Sequence, residues 1–281
     1  MNTRTRRFIQ CDVFSATPVQ GNALAVVVDG EGLDDAAMQR FAAWTNLAET
    51  TFLLPPEDSS NDYKVRIMTP TREMPFAGHP TLGSCQSWLH CGGQPKTAGI
   101  VRQECGVGVV NIHVSKNASP AFEAPPTRMQ SMDTDSRSAI LKTLNLSDTQ
   151  VLNSAQLDNG PVWQAFELDS AASVLAVDSS LVRWPEFSSI GLIGAHEDSH
   201  ECDFEVRMLA PSSGMSEDPI TGSLNSALAH WLQSQQRLNK PLTVAQGTKI
   251  DRAGRVSIQQ TNDAVLIGGD VHILIDGTVQ L

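Results

Sequence analysis

The chain has 281 residues, which is enough for one large domain or two domains of ordinary size. Its 20 basic and 31 acidic residues give a formal net charge of -11, which argues against nucleic acid or an anionic membrane as a partner and favours a small substrate. No apolar run is long enough for a membrane span or a secretory signal core, and the 5 cysteines include no C-x-x-C pair, so we expect a reduced, cytoplasmic protein.

The first half of the chain predicts short strands with few helices. Asp34 or Asp35 is the expected N-cap of a helix that ends at Asn46. Glu49 then lies between the end of this helix and the start of the next predicted strand. The predicted strands are Phe8 to Phe14, Ala23 to Val28, Thr50 to Leu54, Tyr63 to Met68 and two runs within Ile100 to Val114.

The second half follows a segment with three prolines, Asn117 to Arg128, which is expected to continue neither a sheet nor a helix and to mark a boundary. Its helix candidates are Ser138 to Leu144 and Ala171 to Val177. Its predicted strands are Val162 to Leu168, Ser189 to Ile193, Glu205 to Leu209, Thr243 to Ile250, Val256 to Gln260, Ala264 to Ile267 and His272 to Ile275. Strands and helices do not alternate regularly, which disfavours a parallel, doubly wound sheet and predicts an α+β fold.

Two similar stretches organise the two halves, Pro75 to Ser84 and Glu217 to Ser223. Each follows a strand-like run that begins at an arginine and ends at a proline: Arg66 to Pro70 and Arg207 to Pro211. When His79 is aligned with Asp218, the proline, glycine and serine that follow match in both copies. The pattern predicts a duplicated architecture.

The prolines of the two stretches predict where two helices begin. Pro80 and Pro219 suit the first helical position, because proline lacks the backbone donor that a first turn leaves unpaired. His79 and Asp218 are then the predicted N-caps. A helix N-terminus presents N–H groups and positive dipole charge to an anion. We therefore expect both halves to point a helix N-terminus at one shared site for a carboxylate or phosphate.

Four blocks of sequence occur in a fixed order along the chain. They are Gly21-Asn22, Asn46-Leu47-Ala48-Glu49-Thr50, Pro75 to Thr81 and Glu217 to Ser223. Together they resemble the PhzF-like isomerases of phenazine biosynthesis, which share the fold of diaminopimelate epimerase. Four blocks in order are a specific signal, whereas one alone is weak. The departures are Ala48, where serine is common, and Ile220, where alanine or valine is common; neither position is expected to carry chemistry.

The resemblance implies an overall organisation. We expect an α+β fold of two pseudo-symmetric domains, each a curved, mostly antiparallel sheet or barrel around a central helix. Residues 1–118, with a terminal strand at 275–281, would form the first domain and residues 119–274 the second. The resemblance also implies a possible homodimer, a small carboxylate substrate, and neither a metal nor an organic cofactor.

The resemblance further implies the site residues. The expected catalytic residues, which in the family line a cavity between domains, are Glu49, His79 and Asp218, and the expected substrate contacts are Asn22, Gly78, Gly222 and Ser223. Taken singly, Glu49 is also compatible with a surface glutamate, and His79 and Asp218 with helix caps. The small and apolar neighbours of Glu49 predict burial, which raises the pKa of a carboxyl group and suits it to take and return a proton.

A third stretch, His196 to Asp203, carries residue types that bind metals, with two histidines four residues apart. A preceding glycine and flanking strand signals favour a solvated loop, so we expect no metal site there. Gly106 and Gly108 lack the third glycine and the helix of a dinucleotide-binding motif.

The residue types narrow the reaction. Cofactor-free epimerases of the resembled fold use two cysteines at two helix N-termini, and neither stretch holds a cysteine at that point. A single carboxylate that removes a proton from one carbon and returns it to another makes an isomerase, as for a dihydro-hydroxyanthranilate. Two alternatives stay open: an epimerase or racemase that uses Glu49 with Asp218 or His79, and a non-catalytic small-molecule-binding protein.

Overall fold

The structure is a computed structural model that describes residues 3–183, 189–209 and 217–281. The chain forms two compact units, the first made of Met1–Glu123 with Gly268–Leu281 and the second of Ala124–Ile267. The sequence predicted the divisions after residues 118 and 274. Pro211, the predicted end of the second strand-like run, lies outside the described residues.

The first unit is a mostly antiparallel sheet with helices α1 (Asp35–Thr45) and α2 (Gly78–His90). Its strands are β1 (Thr5–Val13), β2 (Asn22–Val27), β3 (Glu49–Leu54), β4 (Tyr63–Met68), β5 (Glu73–Met74), β6 (Ile100–Cys105), β7 (Gly108–Ser115), β8 (Ala118–Glu123) and β18 (Val271–Gln280). They pair in the order β18, β1, β2, β3, β4, β6, β7, β8, and the β2–β3 and β4–β6 pairs are parallel.

The second unit contains helices α3 (Thr134–Thr143), α4 (Ala171–Ala176) and α5 (Gly222–Ser234). Its strands are β9 (Arg128–Gln130), β10 (Val151–Asp158), β11 (Val162–Leu168), β12 (Ile190–Ala195), β13 (Phe204–Leu209), β14 (Glu217–Asp218), β15 (Leu242–Gln246), β16 (Gly254–Gln260) and β17 (Val265–Gly268). They pair in the order β9, β10, β11, β12, β13, β15, β16, with β11–β12 and β13–β15 parallel.

The two units repeat one succession of pairings. In each, an antiparallel pair leads to a parallel pair, then to an antiparallel pair, a second parallel pair and a further antiparallel pair. A helix of 11 residues in the first unit and of 6 in the second joins the strands of the first parallel pair, and a buried helix of 13 residues joins those of the second. The duplication predicted from the sequence is confirmed at the level of topology.

Helix α2 is the centre of the first unit. It contacts β18, β1 and β2 at one end of the sheet and β8 at the other, so the sheet curves around it. The helix is buried from Gly78 to Cys85, as expected for an element enclosed on every side. Gly83 permits this enclosure, because a Cβ there would lie 2.5 Å from Cδ2 of Leu24 and 2.9 Å from Sγ of Cys11.

Helix α1 covers the outer face of the same sheet. Its N-cap is Asp34, whose side chain accepts a hydrogen bond from the Ala37 amide, and its C-cap is Asn46, in the left-handed conformation at φ 54°. Met38, Phe41 and Ala42 form its buried face, packed in one cluster with Val27, Phe52 and Met68. Both ends of this helix agree with the sequence prediction.

The sequence was wrong about the proline-rich segment. Residues 118–123 form strand β8, although Pro120 lies within it. The register of the β7–β8 pair shifts between His113 and Ser115, and Pro120 has no cross-strand partner on β7. Strands tolerate proline at irregular positions of this kind. Helix α3 also starts earlier than predicted, at Thr134, because the side chain of Asp133 caps it. Within the described ranges, no helix is long and apolar enough to cross a membrane.

Candidate active site

Strand pairing brings three predicted site residues together in the first unit. Glu49 opens β3 and is the cross-strand partner of Leu24 on the neighbouring β2. Asn22 opens β2 two residues before Leu24, so both side chains are on the same face of the sheet. That face packs against α2, whose second residue is His79.

The side chains of Asn22, Glu49 and His79 form a chain of polar contacts. Nε2 of His79 is 3.3 Å from Oε2 of Glu49. Nδ1 of the same ring is 3.2 Å from Nδ2 of Asn22. The side chain of His79 is 5% exposed and that of Glu49 17%, so the pair is shielded but not sealed from a ligand.

Among the described residues Nε2 of His79 has no hydrogen-bond partner, so its contact with Glu49 is a close approach of a carboxyl group to a neutral ring. Burial lowers the pKa of His79 from 6.5 to about 3, and a hydrogen bond with the backbone of Ala23 only partly opposes this shift. The imidazole therefore carries no charge at neutral pH. It can orient a carboxyl group or exchange a proton with it, but it does not form an ion pair.

Helix α2 begins earlier than the sequence predicted. Its N-cap is Ala77, so His79 is the second helical residue and not the cap, and Pro80 is the third. Proline is tolerated there because N–H groups of the first turn have no intrahelical acceptor. The imidazole consequently projects from the first turn, next to the backbone of Gly78.

Helix α5 begins later than predicted. Its N-cap is Thr221 and its first residue is Gly222, so Asp218 is not the cap but lies in β14. Oδ2 of Asp218 instead accepts a hydrogen bond from the hydroxyl of Thr221. Ser223 is the second helical residue and is 7% exposed.

Comparison with known proteins identifies the family. The family model described as phenazine biosynthesis-like protein, PhzC-PhzF, matches residues 11–277. The chain belongs to this family. The protein named antisense-enhancing sequence 1 of Schizosaccharomyces pombe is 34% identical over 295 residues, which cover 96% of this chain and 97% of the relative. Trans-2,3-dihydro-3-hydroxyanthranilate isomerase of Pseudomonas aeruginosa is 30% identical over 257 residues, which cover 89% and 88%.

A solved structure shows the same fold. The PhzF-family phenazine biosynthesis protein of Bacillus anthracis superposes with a TM-score of 0.81 at 20% identity, covering 99% of this chain and 100% of that chain. The epimerase-like α+β fold and the isomerase class predicted from the four sequence blocks are thus confirmed.

In this PhzC-PhzF protein the two copies align differently from the sequence prediction. Arg66 on β4 forms a bidentate ion pair with Glu73 on β5. Arg207 on β13 forms an equivalent bidentate ion pair with Glu217 on β14. Matching these pairs shifts the alignment by five residues. The structural counterpart of His79 is therefore Ser223, and not Asp218.

The corrected alignment shows that the polar chain exists in the first unit alone. Phe52 is the cross-strand partner of Arg66, and Leu192 is the partner of Arg207. Counting back three residues from each, the counterpart of Glu49 is Ser189. By the same reasoning along β2 and β11, Pro161 takes the place of Asn22. The second unit thus has no carboxyl group at the position of Glu49.

Sequence reasoning missed the residue that organises the second stretch. Oε1 of Gln246 accepts hydrogen bonds from the Thr221 amide and the Asn225 side chain, and its Nε2 donates to the Asp218 carbonyl and the Thr221 hydroxyl. Gln246 is fully buried at the end of β15. A glutamine that closes the apolar run Val244-Ala245 was the available signal, because a buried amide needs partners.

The stretch His196 to Asp203, which carries residue types that bind metals, is a loop between β12 and β13. The rings of His196 and His200 stack with centroids 3.7 Å apart, and Nε2 of His196 is 3.2 Å from Oε2 of Glu205. Across residues 3–183, 189–209 and 217–281, no three His, Cys, Asp or Glu side chains are grouped closely enough to hold a metal ion.

Proposed function

We propose that this isomerase moves a double bond in a small unsaturated carboxylate of the trans-2,3-dihydro-3-hydroxyanthranilate type, with Glu49 as the single proton carrier. The observation that carries the proposal is the shielded contact between Glu49 and the neutral His79. The substrate class is supported by the name of the Pseudomonas aeruginosa relative, which is 30% identical.

The proposed reaction needs one base that later acts as an acid. The carboxylate of Glu49 removes a proton from one carbon, and the electron pair of the broken C–H bond shifts the double bond. The same carboxyl group then returns the proton to a second carbon on the same face of the substrate. Substrate and product are isomers of equal oxidation state, so proton movement alone completes the reaction.

The second unit supports the choice of one base. An inversion at carbon requires an acid or base on each face, and a duplicated architecture could supply two from equivalent positions. Here the counterparts of Glu49 and His79 are Ser189 and Ser223, which are poor proton carriers near neutral pH. The asymmetry favours isomerisation over epimerisation.

Further residues are proposed to bind the substrate. Asp218 offers a carboxylate, and Gly78, Gly222 and Ser223 lie in the first turns of α2 and α5. The backbone N–H groups of a first turn suit a substrate carboxylate, and glycine allows close approach. We propose that these groups hold the carboxylate and polar substituents while Glu49 acts on carbon.

The decisive substitution is Glu49→Gln, which keeps the shape of the side chain and removes the base. We expect kcat to fall by about 100-fold or more while the dissociation constant of the substrate changes little. Glu57→Gln is the matched control, because Glu57 is a surface residue whose side chain is 77% exposed. A Glu49→Gln enzyme with an unchanged rate would exclude the mechanism.

The reaction in D2O separates the proposed isomerase from an epimerase. Isomerisation places deuterium, when it enters at all, on the carbon that receives the proton. Epimerisation leaves deuterium on the carbon that lost it. Mass spectrometry and NMR of the product locate the label, and a label confined to the original carbon would refute the double-bond shift.

A further inference from the structure

The N-cap residue of α5 has a hydroxyl group that does not cap the helix. This residue is Thr221, which is 7% exposed and whose side chain makes no capping hydrogen bond. An N-cap threonine ordinarily accepts a hydrogen bond from a backbone N–H of the first turn. Here Oγ1 of Thr221 contacts two other side chains, the carboxyl group of Asp218 and the amide of Gln246. The hydroxyl therefore serves a contact outside the helix.

Backbone groups fix the orientation of the Gln246 amide. One of its terminal atoms is 3.1 Å from the Thr221 amide, which only donates, so this atom is the oxygen Oε1. The other is 3.3 Å from the carbonyl oxygen of Asp218, which only accepts, so it is the nitrogen Nε2. The side chain of Asn225 also donates to Oε1, at 2.9 Å. The buried amide of Gln246 consequently has one orientation.

The fixed amide determines where the hydroxyl of Thr221 points. Nε2 of Gln246 donates to Oγ1 of Thr221 at 3.0 Å. A hydroxyl has one proton, and that proton cannot point at a donor. Oδ2 of Asp218 is an acceptor within reach, and Thr221 donates to it. Each hydrogen bond from Gln246 through Thr221 to Asp218 thus has a defined direction.

We propose that Thr221 is a positioning residue of the isomerase: directed by Gln246, its hydroxyl donates to Oδ2 of Asp218 and holds that carboxylate in the rotamer that binds the substrate. The inference rests on the proposed role of Asp218 in substrate binding. A carboxylate has about four acceptor sites, so the bond from Thr221 fixes its rotation and leaves it able to accept from the substrate. A side chain oriented before the substrate arrives loses less entropy on binding.

The first unit stabilises its central helix in a similar way but has an alanine, Ala77, as the N-cap of α2. Thr81 and Asn225 each follow the N-cap by four residues, and each donates to the N-cap carbonyl at 2.9 Å. A buried glutamine contacts both of them, because Gln103 donates to Thr81 and Gln246 accepts from Asn225. In the second unit the N-cap hydroxyl adds a link to a carboxylate, which the alanine of the first unit cannot make.

Crystal structures of the wild type, Thr221→Val and Thr221→Ser test the positioning without substrate. Valine has the shape of threonine and lacks the hydroxyl, whereas serine keeps it. We expect Asp218 in one rotamer in the wild type and in Thr221→Ser, and a rotated or divided side chain in Thr221→Val. An unchanged Asp218 rotamer in Thr221→Val, or a rotamer lost equally in Thr221→Ser, would overturn the proposal.

Binding of 3-hydroxyanthranilate, the aromatic analogue of the proposed substrate, measures the effect on a ligand. By calorimetry we expect Kd to rise about fivefold or more in Thr221→Val and about tenfold or more in Asp218→Ala, and to stay within about twofold in Thr221→Ser. Ser226→Ala is the matched control, because the hydroxyl of Ser226 donates to the Gly222 carbonyl within the same helix. It should bind like the wild type, and equal weakening in Ser226→Ala and Thr221→Val would contradict the proposal.

A double variant separates positioning from general damage to the helix. If Thr221 acts through Asp218, adding Thr221→Val to Asp218→Ala should weaken binding by no more than about twofold beyond Asp218→Ala alone. The same factor in both backgrounds would overturn the proposal, because a purely structural effect does not depend on the carboxylate.

Gln246→Glu tests the first step of the series. An oxygen replaces Nε2, so the Thr221 hydroxyl gains a competing acceptor and Kd should rise as in Thr221→Val. Wild-type binding would overturn the role of Gln246, and if this variant does not fold, the Thr221 variants decide on their own. Failure of the proposed function would show separately, as full activity in Glu49→Gln or as no binding of 3-hydroxyanthranilate by the wild type, while the Asp218 rotamers still report the positioning.

Discussion

The two equivalent arginine–glutamate pairs predict a large difference in stability between two similar substitutions. Arg207 and Glu217 have side chains 1% and 0% exposed, and the guanidinium also donates to the carbonyl oxygens of Val174 and Val177 at the end of α4. Arg66 and Glu73 make the same two-pronged contact with side chains 19% and 44% exposed.

Removing Arg207 leaves a buried carboxylate without its counter-charge and two helix-end carbonyls without their donor. Breaking a buried pair in this way costs about 3–5 kcal/mol, whereas a surface pair is worth about 0–1 kcal/mol. We therefore expect Arg207→Ala to lower the free energy of unfolding by about 3 kcal/mol or more, and Arg66→Ala by about 1 kcal/mol or less.

Urea unfolding followed by tryptophan fluorescence measures both values under the same conditions. A double variant, Arg207→Met with Glu217→Leu, should recover part of the loss, because it removes both buried charges. Equal destabilisation by Arg207→Ala and Arg66→Ala would refute the argument from burial.

Two further predictions concern His79 and Gly83. The pKa of His79 is lower in the folded state (about 3) than in the unfolded chain (6.5), so between these values the unfolded state binds more protons and acid destabilises the fold. The His79 contribution should reduce the free energy of unfolding by about 2 kcal/mol from pH 7 to pH 5, and urea titrations should show a smaller loss in His79→Gln; equal losses would contradict the assignment. Gly83→Ala should destabilise the protein by about 1–3 kcal/mol, because the new Cβ would lie 2.5 Å from Leu24. Gly277→Ala is its control, with no atom within 4 Å of the new Cβ, and thermal melts in which the two variants lose equal stability would contradict the packing argument.

Short-range sequence signals correctly predicted both ends of helix α1 and the start of strand β3. Asp34 and Asn46 bound α1 as expected, because capping depends on residues a few positions apart. Glu49 opens β3 at the predicted transition from helix to strand. Strand β8 was not predicted because it contains Pro120. A proline can occupy an irregular position of a strand, and the sequence alone does not reveal that irregularity.

The register of the duplication could not be predicted from the matched residues. Proline, glycine and serine recur in both stretches, so an alignment without gaps gave a match that is displaced by five residues. The correct markers are the charged partners. Arg66 and Glu73 are 7 positions apart, while Arg207 and Glu217 are 10 apart, so the copies differ by three residues in the connecting turn.

The contacts of the candidate site depend on long-range pairing. Asn22 and His79 are 57 positions apart in sequence. Their meeting follows from the packing of β2 against the first turn of α2, and the β2–β3 register adds Glu49; a single sequence specifies neither. The family resemblance named Glu49 and His79, but the link from Asn22 to the ring came from the structure.

Strand β18 has a consequence for how the protein is made. It pairs along the whole of β1 and contacts α2, yet the entire second unit separates it from the rest of the first. During translation, Ala124–Ile267 is synthesised before β18. Until β18 is made, the first unit is incomplete: β1 lacks one of its two neighbouring strands, and the side of α2 that β18 contacts is uncovered. The unit that bears Glu49 is begun first and completed last, and an exposed strand edge in the interval is a point at which a chaperone can protect the growing chain.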